Sequence, residues 1–155
     1  MKHFIVLITL SFFYFTSFSQ YSGATPWSNC FGKNASCKYV GCSDIIVKAS
    51  SSNPVVVIIK KYDQVKKHVY ISAGDSHTIE LPDGTYEAFF YYGTNWNSNK
   101  RMSSGECSNL YGGFNSDEYV TKDDFTVKGQ TLTYTLYQVV GGNHQNKPSD
   151  LGEAL

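Results

Sequence analysis

Histidine and cysteine are the side chains of this 155-residue sequence best suited to catalysis or metal binding, and it holds four of each. His3 falls just before the apolar N-terminal run and leaves with it if that run is a signal, and His144 lies in Gly-Gly-Asn-His-Gln-Asn, which reads as part of a flexible tail. His68 and His77 stand on either side of Ala73-Gly74-Asp75. If those residues form a hairpin loop, Ser72 faces Ser76, Tyr70 faces Thr78 and His68 faces Glu80 on a polar face. Val69 and Ile71 then share an apolar face with His77 and Ile79, whereas a tighter Gly74-Asp75 turn would mix the faces. The two imidazoles point to opposite faces of such a hairpin and share neither a metal nor a proton. The sequence holds no G-x-S-x-G, H-E-x-x-H or Gly-rich phosphate loop. No catalytic residue is assigned, and the expectation is a protein that is not an enzyme.

Cys30, Cys37, Cys42 and Cys107 are separated, over the first three, by six and then four residues. A tetrahedral zinc site is built from closer pairs such as C-x2-C, so the spacing favours two disulfides over zinc. Three connectivities are open. Because three cysteines crowd the N-terminal segment, at least one bridge is expected to tie that segment to Cys107.

Acidic residues gather once, at Asp117, Glu118, Asp123 and Asp124. Calcium takes about six to eight oxygen ligands, and these carboxylates are the candidates for it, although their spacing matches no EF-hand. A solvated loop turning at Lys122-Asp123-Asp124 explains them equally well. Asn34-Ala35-Ser36 matches a glycosylation sequon, a short pattern that arises by chance. The formal net charge is zero, and there is no basic stripe of the kind nucleic acid or an anionic membrane surface requires.

Between residues 93 and 118 the sequence is rich in Asn, Ser and Gly and carries Trp96, Lys100, Arg101, Tyr111 and Phe114. Read as a long loop, it offers rings to stack on a sugar or peptide and polar groups to take its hydroxyls. Trp96, Arg101, Tyr111 and Phe114 are the ligand-binding candidates. The plainer alternative is that the rings fold down over one end of the domain as a satellite core, which suits a chain that is 15% aromatic throughout.

These residues are positioned by short β-branched and aromatic runs set between Gly, Pro, Asn and Ser. Strands are expected at Ile45 to Ala49, Val55 to Lys60, His68 to Ser72, Ser76 to Leu81, Thr85 to Tyr92, Asp124 to Lys128 and Thr131 to Val139. Val55 to Ile59 has no polar residue and belongs deep in a sheet. Tyr86, Ala88, Phe90 and Tyr92 alternate with Glu87, Phe89 and Tyr91, so that strand is apolar on both faces towards its end and must be central or covered. Leu132, Tyr134 and Leu136 alternate with threonines, as in a strand with one wet face. The fold class is all-β: one antiparallel β-sandwich of about seven strands with a long disulfide-tied loop.

Met1-Lys2-His3 followed by the apolar run from Phe4 to Phe15 reads as a signal peptide over 1–19, too short to span a bilayer, with cleavage before Gln20 or at a second site marked by Ser22 and Ala24. A Cys-rich segment over 20–43, the sandwich over 44–140 and a flexible tail over 141–155 complete the organisation. No transmembrane segment is expected. The protein is read as secreted, to the periplasm, the cell surface or the medium.

Leu81-Pro82-Asp83-Gly84-Thr85-Tyr86 resembles the Leu-Pro-x-Gly-x-Tyr corner of small bacterial β-sandwiches of the PEGA and transthyretin-like, carboxypeptidase-regulatory-like kind, over residues 45–92. The resemblance implies a sandwich in which Tyr86 caps a turn by hydrogen-bonding back to the backbone. It implies no catalysis and no cofactor. The chain as a whole also resembles secreted bacterial proteins. The leading expectation for function is a non-enzymatic binding module for a protein or glycan. A structural or assembly subunit, pairing through an edge strand, comes second, and a hydrolase third.

Overall fold

The computed structural model describes residues 20–38, 41–104, 107–137 and 147–155. The expected leader and His144 lie outside them. A helical turn, α1 (Ser28–Phe31), precedes seven strands: β1 (Cys42–Lys48), β2 (Val55–Lys61), β3 (Gln64–Ile71), β4 (Ser76–Pro82), β5 (Gly84–Arg101), β6 (Tyr111–Val127) and β7 (Thr131–Thr135). A short strand, β8 (Lys147–Ser149), and a second turn, α2 (Leu151–Ala154), follow. The strands form a three-stranded sheet, ordered β4-β1-β7, and a five-stranded sheet, ordered β3-β2-β5-β6-β8.

The all-β expectation holds, with two differences of detail. β7 runs parallel to β1, so the small sheet is mixed rather than wholly antiparallel. The run from Asp124 is the end of the longer β6, and β8 brings the described strands to eight.

The two-sided apolar pattern of β2 and β5 is satisfied by two cores. Between the sheets lie Ile45, Val47, Val57, Ile59, Val69, Ile71, Ile79, Leu81, Phe90 and Tyr92, among others. On the outer face of the large sheet, Val56, Ile58, Tyr70, Phe89 and Tyr91 pack against Ala24, Trp27, Met102, Leu110, Phe114, Ala154 and Leu155. That face is therefore covered from three places in the chain: the N-terminal segment, the far half of the β5–β6 hairpin, and the last residues.

Each of these coverings corrects an expectation. Residues 73–75 do not close a hairpin. β3 pairs with β2 and β4 pairs with β1, so the chain there crosses from one sheet to the other, pinned by Gly74 N to Ser50 O at 2.7 Å and Ala49 N to Asp75 O at 2.9 Å. Alternation places Val69, Ile71, Ile79 and Leu81 against one core whether the strands are neighbours or face each other. Most of residues 93–118 is strand rather than loop: 93–101 belong to β5 and 111–118 to β6. β5 and β6 stay paired from Gly84↔Val127 out to Arg101↔Tyr111, with register shifts after Tyr92 and Asn97. Backbone pairing needs no apolar side chain, and the Asn and Ser of this stretch face mostly outward. Of the expected tail over 141–155, the last nine residues are ordered on the fold: β8 pairs with β6, and Ala154 and Leu155 are buried.

The corner motif folds as its residues demand. Tyr86 Oη donates to Pro82 O at 2.7 Å, and Asp83 Oδ1 accepts Ser43 Oγ at 3.1 Å and Gly129 N at 2.8 Å, tying neighbouring loops together. All four sulfurs are paired, Cys30 with Cys107 and Cys37 with Cys42, which overturns the zinc reading. The first bridge ties the N-terminal segment to the connection between β5 and β6.

Candidate functional site

The far half of the β5–β6 hairpin bends back over the outer face of the sheet because Gly93 lets it. A Cβ on Gly93 would stand 2.3 Å from Cβ of Phe114, so any other residue there would push the two strands apart. A closed circuit of hydrogen bonds fixes the bend. Phe114 N donates to Tyr91 Oη at 3.0 Å, and Tyr91 Oη donates to the Glu118 carboxylate. Lys100 Nζ donates to that carboxylate at 2.7 Å and to Phe114 O, which returns to the starting residue. Burial first, and then the adjacent Glu118, push the Tyr91 phenol well above its usual value, so it remains a neutral donor.

Beside this circuit is a groove of about 260 Å³ lined by Tyr91, Glu118, Tyr119, Val120, Ser149, Asp150 and Leu151. It lies where β8 gives way to α2, leaving the edge of β6 uncovered beyond Val120. Tyr119, 44% exposed, stacks on Tyr92 with centroids 4.5 Å apart and planes at 13°. Tyr92 belongs to the inner core, so the Tyr119 ring lies on that face of the sheet, opposite Tyr91 and Glu118, and borders the groove from the edge of β6. Glu118 is held by Tyr91 and Lys100, while Asp150 Oδ1 caps α2 through Glu153 N at 2.8 Å. Two carboxylates and a serine hydroxyl line the groove, with the Glu118 side chain held by Tyr91 and Lys100, and the Tyr119 ring stands at its rim across the strand.

The candidates chosen from sequence are divided by the structure. Trp96 and Phe114 lie in the outer core. Phe114 is fully buried, and Trp96 packs edge-on against it and against Tyr70, at 5.1 and 5.4 Å. The satellite-core alternative describes these two rings. Arg101 and Tyr111 are exposed partners across the hairpin, away from the residues that line the groove.

The carboxylates proposed for calcium are not brought together. Asp117 accepts Thr94 Oγ1, Glu118 belongs to the circuit, and Asp123 accepts Tyr134 Oη at 2.8 Å. Asp123 and Asp124 are successive strand residues and face opposite ways. Among the described residues no three His, Cys, Asp or Glu side chains gather where a metal ion would be held.

His68 was expected on a wet face and is instead 1% exposed, covered by the N-terminal segment. Its Nε2 lies 2.9 Å from Gly32 O, and its Nδ1 accepts Trp27 N at 3.4 Å. His77 lines a second groove, of about 230 Å³, with Lys67, Glu80 and residues 34–36. The charged groups of that groove are already engaged, Glu80 with Cys37 N and Lys67 with Ala35 O.

Reading by sequence missed Tyr119, Ser149, Asp150 and Leu151. Tyr119 was masked by the acidic residues around it, and the others by their place in a segment read as a tail. No described helix is long and apolar enough to cross a membrane. No family model, curated protein or solved structure matches this chain, so the groove is interpreted from its own chemistry.

Proposed function

We propose that the chain is an exported, non-enzymatic module that binds a saccharide along the edge of β6, in the groove whose rim is Tyr119. The observation that carries this reading is the groove along the edge of β6, where Glu118 is held in place by Tyr91 and Lys100 and the 44% exposed Tyr119, stacked on Tyr92, stands at the rim. An aromatic face takes the C–H face of a sugar ring, and fixed carboxylates accept its hydroxyls. With Glu118 and Asp150 as its charged lining groups, the groove suits neutral or amino sugars better than acidic ones. Export is supported by the leader pattern of residues 1–19 and by two disulfides, which persist in oxidising compartments.

The other two readings draw less support. An assembly role would use a free sheet edge; residues 22–24 occupy that of β3, and among the described strands edges such as β4, β7 and the part of β6 beyond Val120 are left to it. A hydrolase needs a base near a carboxylate in a groove; His68 is buried with both ring nitrogens engaged, and His77 shares its groove with Glu80, whose carboxylate already accepts Cys37 N.

The test is calorimetric titration and thermal shift of the oxidised protein with neutral, amino and acidic oligosaccharides, alongside Tyr119→Ala. A neutral or amino sugar is expected to raise the melting temperature, and Tyr119→Ala is expected to lose roughly tenfold in affinity, about 1.4 kcal/mol. A panel in which no sugar binds, or in which Tyr119→Ala binds as the parent does, rejects the reading.

A further inference from the structure

We infer that the mature chain begins at Gln20 and that this N-terminal glutamine closes to a pyroglutamate. The inference rests on residues 1–19 being an export leader, and its test separates the two. The sequence offers two cleavage points, before Gln20 and after Ala24, and the fold discriminates between them. Residues 22–24 lie along the outer edge of β3: Ser72 N donates to Ser22 Oγ, Gly23 N to Tyr70 O and Tyr70 N to Ala24 O, each at 2.9 Å. Ala24 is 7% exposed within the outer core. Gly23, at φ +94°, fits so closely against the His77 ring that a Cβ would meet Cε1 at 2.8 Å.

Cleavage after Ala24 would remove Ser22 and Gly23, sever Ala24 from Thr25 and open the β3 edge to pairing with other chains. Cleavage before Gln20 leaves every one of these contacts in place. It also makes glutamine the first residue, next to a Tyr21 that is 70% exposed.

An N-terminal glutamine carries both reactants of a ring closure. Its unprotonated α-amino nitrogen attacks its own side-chain amide carbon, and a new C–N bond forms. The bond to the amide nitrogen breaks, and that nitrogen leaves as ammonia with the displaced proton. No oxidant, reductant or cofactor enters. The lactam removes the terminal cation and the free amine that aminopeptidases require, and so protects the residues that guard the edge of β3.

The experiment is intact-mass measurement and N-terminal sequencing of the protein exported from its full-length precursor. The expected result is the mass of residues 20–155 with two disulfides, less one ammonia, and a blocked terminus. A free Gln20 overturns the ring closure, a chain starting at Thr25 overturns the choice of site, and a chain retaining Met1 overturns the leader. The Gln20→Ala variant supplies a free amine. Aminopeptidase trimming of it through Ala24 is expected to lower the melting temperature by roughly 5 °C, with the parent untouched. A trimmed variant that melts like the parent removes the protective role.

Discussion

The backbone N–H of Trp27 points at Nδ1 of His68 across 3.4 Å, joining residues 41 positions apart, while Nε2 of the same ring meets Gly32 O at 2.9 Å. This arrangement needs a neutral imidazole with its proton on Nε2. A second proton would set one N–H against another. Burial lowers the His68 pKa from its ordinary 6.5, against a smaller upward pull from the Gly32 carbonyl. The unfolded chain therefore takes up a proton at a higher pH than the folded one. Stability from His68 is complete above 6.5 and falls as pH drops below it towards the folded value. His77, lowered mainly by burial and raised less by Asp75, adds a slope of the same sign. Urea midpoints should be flat on the alkaline side of 6.5 and decline on the acid side. His68→Gln should flatten the decline, and an unchanged slope in that variant would assign the effect elsewhere.

The two disulfides should differ in weight. Cys30–Cys107 spans 77 residues and Cys37–Cys42 spans 5. Loop-closure entropy in the unfolded chain then predicts about 4 kcal/mol for the first and about 2 kcal/mol for the second. Paired Cys→Ser variants, Cys30/Cys107 and Cys37/Cys42, measured by denaturant unfolding, should rank in that order. The reverse order would mean that native-state contacts, not chain entropy, set the difference.

Binding and folding should separate along β5 and β6. Tyr91→Phe leaves the Phe114 N–H without its partner and is expected to destabilise by about 1 to 3 kcal/mol. Trp96→Ala empties part of the outer core and should cost about 3 kcal/mol. Tyr119→Ala should stay within about 1 kcal/mol of the parent in stability. Chemical denaturation of the three variants checks this, and equal destabilisation by all of them would deny Tyr119 its place as a surface ring.

One local change should strengthen the fold. The β2–β3 hairpin turns at Tyr62 and Asp63, both left-handed, with φ of 55° and 58°. Non-glycine residues pay about 1 to 2 kcal/mol for that conformation, less when the residue is Asp. Asp63→Gly is expected to gain about 0.5 to 1 kcal/mol in a urea titration, and a loss would show that the Asp63 side chain holds the turn by another route.

What the sequence disclosed, and what it withheld, follow from one distinction. Alternation in a strand tells which way a side chain faces, not which strand lies beside it. Val55 to Ile59 and Phe89 to Tyr92 announced a sheet covered on both sides, and Tyr86 announced its corner, because those signals are local. Ile71 and Ile79 gave correct faces and a wrong partnership, since two facing sheets satisfy the same pattern as a hairpin. The polar stretch around Asn97 and Ser116 hid strands because backbone pairing leaves no alternation of apolar side chains to read. Leu151, Ala154 and Leu155 were too few to register as an element, though they pack on the far side of the sheet and Leu151 borders the groove.

The outer core also sets an order on folding. It joins residues 24–31 to residues 151–155, with the β5–β6 hairpin between them, so its closure links regions separated by most of the sequence. Contacts at such separations are the slowest to form. The sandwich, whose buried residues fall between Ile45 and Leu136, requires neither end. The inner core is therefore expected to assemble first. The layer that shapes the groove then docks last, as a lid whose two halves arrive from opposite ends of the polypeptide.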